Sequence, residues 1–163
     1  MKKTKILAYG ALLIALNIVI TRLLSINIFT VRIGFGFLPV AFGSIWFGPL
    51  WGAILAVIAD VSGMLLSGGM PWPGFTLSAA LYGITYGLFL HKREINFKNL
   101  ALCVILQAIF IDALLGAVWY NYYAGTPFLA ALLSRSIDAL CMIPVKIIVI
   151  KYVYKFTGDR IKI

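Results

Sequence analysis

Residues 6–20, Ile6-Leu7-Ala8-Tyr9-Gly10-Ala11-Leu12-Leu13-Ile14-Ala15-Leu16-Asn17-Ile18-Val19-Ile20, follow Lys2, Lys3 and Lys5 and carry no charge. Such a start imitates a signal peptide. The run nevertheless reaches Ile20 without a clear small-residue cleavage site, and further apolar runs follow it. It therefore reads as a retained first helix of a chain that crosses a bilayer repeatedly. Composition agrees: 63% of the 163 residues are hydrophobic and only 12% are charged, with a mean hydropathy of +1.02. A soluble domain carries about a quarter charged residues; here there are too few to cover a soluble surface, so the apolar surplus must face lipid.

A crossing needs about 20 apolar residues, which gives spans at roughly 6–25, 33–47, 50–67, 74–91, 98–122 and 128–155. Phe47-Gly48-Pro49 is a turn signal that folds the second and third spans into a tight hairpin, the second being short for a full crossing. Proline and glycine crowd the stretch from Ser67 to Gly74 and exclude regular helix there. Pro144 should kink the last helix. The expected architecture is one all-α transmembrane domain over 1–163, six helices without linker or internal repeat. Lys2, Lys3 and Lys5, then Lys92, Arg93 and Lys98, then Lys151, Lys155, Arg160 and Lys162 all fall on one side of such a bundle, against only Arg22 and Arg32 opposite. Positive residues stay inside, so both termini are expected in the cytoplasm of a multi-pass cell-membrane protein.

These observations exclude several functions. The net charge of +9 comes from residues at the ends of apolar runs, which act as topology determinants and not as a nucleic-acid surface. No Gly-x-x-x-x-Gly-Lys-Ser/Thr loop is present, so active transport would need an outside source of energy. Gly34-Phe35-Gly36-Phe37 lacks the third glycine, strand and acidic partner of a dinucleotide site. With His91 as the single histidine, neither a metal cluster nor a catalytic triad is expected, and no cofactor. Cys103 and Cys141 lie inside apolar runs and read as packed thiols.

Ionisable groups inside a membrane are costly and usually functional. Asp60, Asp112, Arg135 and Asp138 are the candidates. Arg135 and Asp138 are three apart on one helix, so they either form an internal pair that makes the helix tolerable in lipid or point Arg135 into an outward pocket. Asp60 and Asp112 read as hydrogen-bonding residues that hold helices together. The non-cytoplasmic segments hold Phe35, Phe37, Trp72, Trp119, Tyr120, Asn121, Tyr122 and Tyr123. An interfacial belt accounts for some of these rings; irregular Pro/Gly backbone beside them points to a cavity wall. Flat rings with Arg22 and Arg32 at the mouth suit a flat anionic solute, unless those arginines merely snorkel. Ala11 and Ala15, four apart on the first helix, leave a groove where another helix can approach.

Several stretches together resemble the substrate-binding S components of energy-coupling factor (ECF) vitamin transporters, most closely the folate-specific branch. They are Ala11-Leu12-Leu13-Ile14-Ala15-Leu16-Asn17, Arg22-Leu23-Leu24-Ser25-Ile26, Ile33-Gly34-Phe35-Gly36-Phe37-Leu38-Pro39, Phe47-Gly48-Pro49-Leu50-Trp51-Gly52, Ala59-Asp60 and the run from Pro73 to Leu81. The resemblance implies an S-component-like bundle of six helices that captures folate from outside and is not an enzyme. It also implies association with a membrane coupling subunit, through Ala11 and Ala15, and with two cytoplasmic ATPases. Substrate-binding residues are expected at Arg22, Arg32, Phe37, Trp72, Trp119, Asn121, Tyr123 and Arg135, with no catalytic residue. Three alternatives stay open: an S component for another vitamin such as riboflavin or pantothenate, an intramembrane enzyme using Asp60, Asp112 and Asp138, and a ligand-free assembly subunit.

Overall fold

The computed structural model describes the backbone of residues 3–23, 26–28, 31–66, 68–93 and 95–157; the side chains of 3, 22–33 and 157 lie outside the description. Among the described residues six helices run up and down: α1 (Lys3–Leu23), α2 (Phe37–Phe47), α3 (Pro49–Leu66), α4 (Pro73–Leu90), α5 and α6. The fifth, α5, is one continuous 28-residue helix, Phe97–Ala124, whose middle, Gln107–Leu115, is wound as π-helix. The last, α6 (Phe128–Thr157), is the longest and contains Pro144.

The chain is not purely helical. Between α1 and α2 a short hairpin pairs β1 (Ile26–Ile28) with β2 (Val31–Ile33), with Asn27 opposite Arg32. Ile26, Ile28, Val31 and Ile33 are β-branched and favour extended backbone. This adds one short hairpin to the expected helical bundle and moves the start of the second helix from Ile33 to Phe37. The α2–α3 turn falls at Gly48, whose φ of 92° suits a residue without Cβ. His91 closes over that turn, its Nδ1–H donating to the Ile45 carbonyl at 2.7 Å.

Two ends of the bundle follow. One holds the β-hairpin, the 68–72 segment and the α5–α6 turn; the other holds the Gly48 turn, the loop after His91 and the start of α1. The second end is packed solid around Tyr86, Leu90, Leu100, Val104 and Ile150, all at or near full burial. Glycines let α3 and α4 touch backbone to backbone: a Cβ on Gly83 would strike the Gly52 carbonyl, and one on Gly87 would strike Pro49. Outward faces are apolar. Leu129, Leu133, Ile137 and Leu140 make one exposed stripe along α6, and Leu102, Ile105 and Ile109 make another on α5.

Among the described residues, three helices are long and apolar enough to cross a membrane: Thr4–Thr21 within α1, Pro49–Leu66 and Phe97–Ala124. The others differ for visible reasons. Phe37–Phe47 is short, α4 is diluted by glycine and tyrosine, and α6 carries Arg135, Asp138 and Lys146.

Candidate functional site

Toward the hairpin end the helices part around a half-enclosed cavity of about 460 Å³, within the range of small-molecule sites. All six helices contribute. Asn17 and Thr21 come from α1, Phe37 and Val40 from α2, and Asp60 and Met64 from α3. Tyr82 and Tyr86 come from α4, Asp112 from the π-wound part of α5, and Arg135, Asp138 and Lys146 from α6. π-Helical turns recur at functional sites, and this one carries the cavity carboxylate of its helix. At the hairpin end Asn17 Nδ2 donates to the Gly36 carbonyl at 2.5 Å, tying α1 to the segment that enters α2.

The charges fall into two groups. Deepest, Lys146 Nζ donates to Asp112 Oδ2 at 3.0 Å while the Tyr82 hydroxyl donates to Asp112 Oδ1. The Lys146 ammonium also lies 4.9 Å from the centre of the Tyr82 ring. Nearer the hairpin end, Arg135 Nη1 stands 3.7 Å from Asp138 Oδ2, one turn along α6. The Arg135 guanidinium packs on the Tyr120 ring, 4.0 Å from its centre, and passes Gly116, where a Cβ would crowd its aliphatic stem at 3.3 Å. Asp60 accepts from Thr76 Oγ1 at 2.8 Å, joining α3 to α4 while lining the cavity. Among the described residues, three polar atoms around this space are buried without a hydrogen-bond partner: the Tyr86 hydroxyl, Arg135 Nε and Asp138 Oδ1.

Of the substrate-binding residues expected from the sequence, Phe37 and Arg135 line the cavity, as do Asp60, Asp112 and Asp138, the other ionisable candidates. Trp72, Trp119 and Tyr123 are gathered into one aromatic cluster beside it, with ring centres 5.3 Å (Trp72–Trp119) and 6.1 Å (Trp72–Tyr123) apart. Trp119 Nε1 donates to Ser78 Oγ at 3.0 Å, and Gly74 leaves the space the Trp72 ring fills. Through Phe75 the cluster reaches Tyr120, on which Arg135 rests, so these rings back the cavity wall. Asn121 is exposed and donates to the Thr126 carbonyl at 2.7 Å, bracing the α5–α6 turn. The side chains of Arg22 and Arg32 lie outside the described residues; their backbones sit at the end of α1 and in β2. Ala11 and Ala15 are both exposed on α1, one turn apart.

Sequence reasoning passed over Asn17, Tyr82, Tyr86 and Lys146. Lys146 carried the same signal as Arg135, a basic residue inside an apolar run, and Asn17 is the lone amide side chain of the first run. The tyrosines gave no signal, because an inward phenol and a packed ring look alike in sequence.

A profile of the family described as "ECF transporter, substrate-specific component" matches residues 5–154. The chain is 35% identical over 164 residues to a folate transporter FolT of Clostridium novyi (strain NT), covering 100% of this chain and 95% of that one. It is 27% identical over 144 residues to a FolT of Leuconostoc mesenteroides, covering 84% and 77%. Among solved structures, a FolT bound with folic acid superposes with a TM-score of 0.85 at 30% identity, covering 100% and 96%. An S-component for biotin from an ECF-type ABC transporter superposes with a TM-score of 0.69 at 21% identity, covering 94% and 93%, a likeness of fold alone.

Proposed function

The chain belongs to the family of ECF transporter substrate-specific components, and from that premise we propose that it captures folate outside the cell for an ATP-driven importer. The observation that carries this reading is the cavity itself: about 460 Å³, walled by Phe37, Tyr82 and Tyr86, with Arg135 in its lining. A flat heteroaromatic ring suits such walls, and an arginine suits a carbonyl or carboxylate acceptor. The FolT relatives and the folic-acid-bound FolT of the same fold support folate over other vitamins.

The bundle crosses the membrane six times with both termini and the loop after His91 in the cytoplasm, as the distribution of lysine and arginine supports. The hairpin end then faces outward, and Arg22 and Arg32 meet the glutamate carboxylates at the mouth. Trp72, Trp119 and Tyr123 hold the wall behind Arg135, and Asn121 holds the turn beside it. The exposed Ala11 and Ala15 present a close-packing face for a membrane coupling subunit. Two cytoplasmic ATPases bound to that subunit supply the nucleotide chemistry this chain lacks.

Titration calorimetry on the purified protein in detergent tests the reading. Folate binds tightly, and riboflavin, pantothenate and biotin do not displace it. Arg135→Ala weakens binding roughly 10- to 100-fold, the worth of one lost charge-assisted hydrogen bond. Absence of folate binding by the parent protein, or displacement by one of the other vitamins, overturns the assignment.

A further inference from the structure

At the solid end of the bundle, away from the cavity, the start of α5 and the end of α6 bring basic side chains from two helices to one corner. Lys98 is exposed in the first turn of α5. Lys151 and Lys155, four apart, are exposed on one face near the end of α6. The Lys151 ammonium lies 5.6 Å from the centre of the Phe97 ring, so it reaches across to the helix that carries Lys98. Lys92 and Arg93, exposed as well, stand in the loop that leads to α5. Both ion pairs among the described residues lie at the cavity and use none of these cations. The surroundings are not those of a purely solvated charge cluster. Phe97, Tyr152 and Phe156 are exposed beside the lysines, the last two with ring centres 5.0 Å apart. One turn deeper on each helix, Leu102 and Ile148 are exposed and apolar.

We propose that this corner binds the headgroup of an anionic phospholipid, at a site separate from the cavity and independent of the folate reading. The lipid phosphate sits among Lys98, Lys151 and Lys155, and the rings of Phe97, Tyr152 and Phe156 lie at headgroup level. The acyl chains run down past Leu102 and Ile148. Topology alone asks only for positive charge near the helix ends. It does not ask that cations of two helices converge, or that one of them be held over a ring of the other. An acidic protein surface meets the same charges but not the exposed rings and the apolar residues below them. A lipid meets all of these, since it carries its anionic head directly above an apolar body. Held there, it ties the rigid base of the bundle to the headgroup layer.

The test is native mass spectrometry of the full-length, delipidated protein, titrated in detergent with phosphatidylglycerol or with phosphatidylcholine of the same acyl chains. The parent takes up its first phosphatidylglycerol about tenfold or more tightly than phosphatidylcholine, and in K98Q/K151Q/K155Q that preference falls to about twofold or less. K2Q/K3Q/K5Q removes the same charge from the N-terminal tail at the same end of the bundle and keeps the preference. An equal loss in that control shows attraction to net charge alone and overturns the site. The three substituted lysines are exposed, so the variant should melt as the parent does; if it is not monodisperse, K98Q/K155Q takes its place. A variant that retains the full preference overturns the proposal, as does a parent that binds both lipids equally, which leaves these lysines to an acidic protein surface. Failure to bind folate does not touch this outcome, and loss of the lipid preference leaves the folate reading standing.

Discussion

Lys146 is 7% exposed and Asp112 is 27% exposed, and each is the other's ion-pair partner at 3.0 Å. A buried pair adds little net stability over an apolar replacement, yet removing one member strands a charge. Lys146→Met should therefore destabilise the protein by about 3 kcal/mol, at the low end for a broken buried pair because Asp112 still faces the cavity. Adding Asp112→Asn should recover much of that loss. Thermal unfolding in detergent measures both, and a double variant that simply sums its two parents would show that the pair is not coupled. At this scale the sequence was partly legible. Asp112 and Arg135 announce themselves as charges within apolar runs, and Lys146 obeys the same rule. Tyr82 and Tyr86 do not, because a tyrosine in an apolar helix is equally at home in a core, a belt or a site. Direction was the missing quantity, and it comes only from the neighbouring helices. Trp72, Trp119 and Tyr123 show the same limit from the other side: their clustering follows from chemistry, but whether they face a cavity or back its wall depends on how α4 and α5 meet.

Between elements, the contact that sets the shape of the bundle is α3 against α4. No apolar driving force separates helix–helix from helix–lipid contact in a bilayer, so close approach through small residues carries the association. Gly52, Gly83 and Gly87 supply that approach. Gly83→Ala must push the two backbones apart, a strain of about 1–3 kcal/mol, and it also moves Asp60 away from Thr76 and Tyr82 away from Asp112. Gly63→Ala is the matched control: its Cβ meets nothing within 4 Å, so its stability should stay within about 1 kcal/mol of the parent. Equal melting temperatures for the two variants would refute the close-contact account. The helices themselves were readable from apolar runs cut by Gly48-Pro49 and by the Pro/Gly segment before α4. The β-hairpin was not, since it falls in the break between the first and second spans, where only the β-branching of Ile26, Ile28, Val31 and Ile33 hints at strand. The π-winding of Gln107–Leu115 leaves no trace either, because an apolar stretch supports α and π turns alike.

For the whole molecule, charge and packing divide the bundle the same way. Lysine and arginine gather at the end where Tyr86, Leu90, Leu100 and Ile150 fill the interior, and the cavity opens the opposite half, where basic residues are few. A receptor that loads from outside and is energised from inside needs this polarity: space toward the solute and a rigid base toward its partners. The orientation is open to direct measurement. Cys103 is buried and Cys141 exposed, so both are first replaced by alanine. Single cysteines are then placed at Ala124, exposed at the end of α5, and at Arg93, exposed in the basic loop. If the positive-inside distribution sets the topology, a membrane-impermeant maleimide labels Ala124→Cys in intact cells and labels Arg93→Cys only after permeabilisation. The reverse pattern inverts the bundle and puts the cavity on the cytoplasmic side, which no capture from outside survives. Labelling of both sites in intact cells gives the two helix ends the same face of the membrane and removes the six-span arrangement.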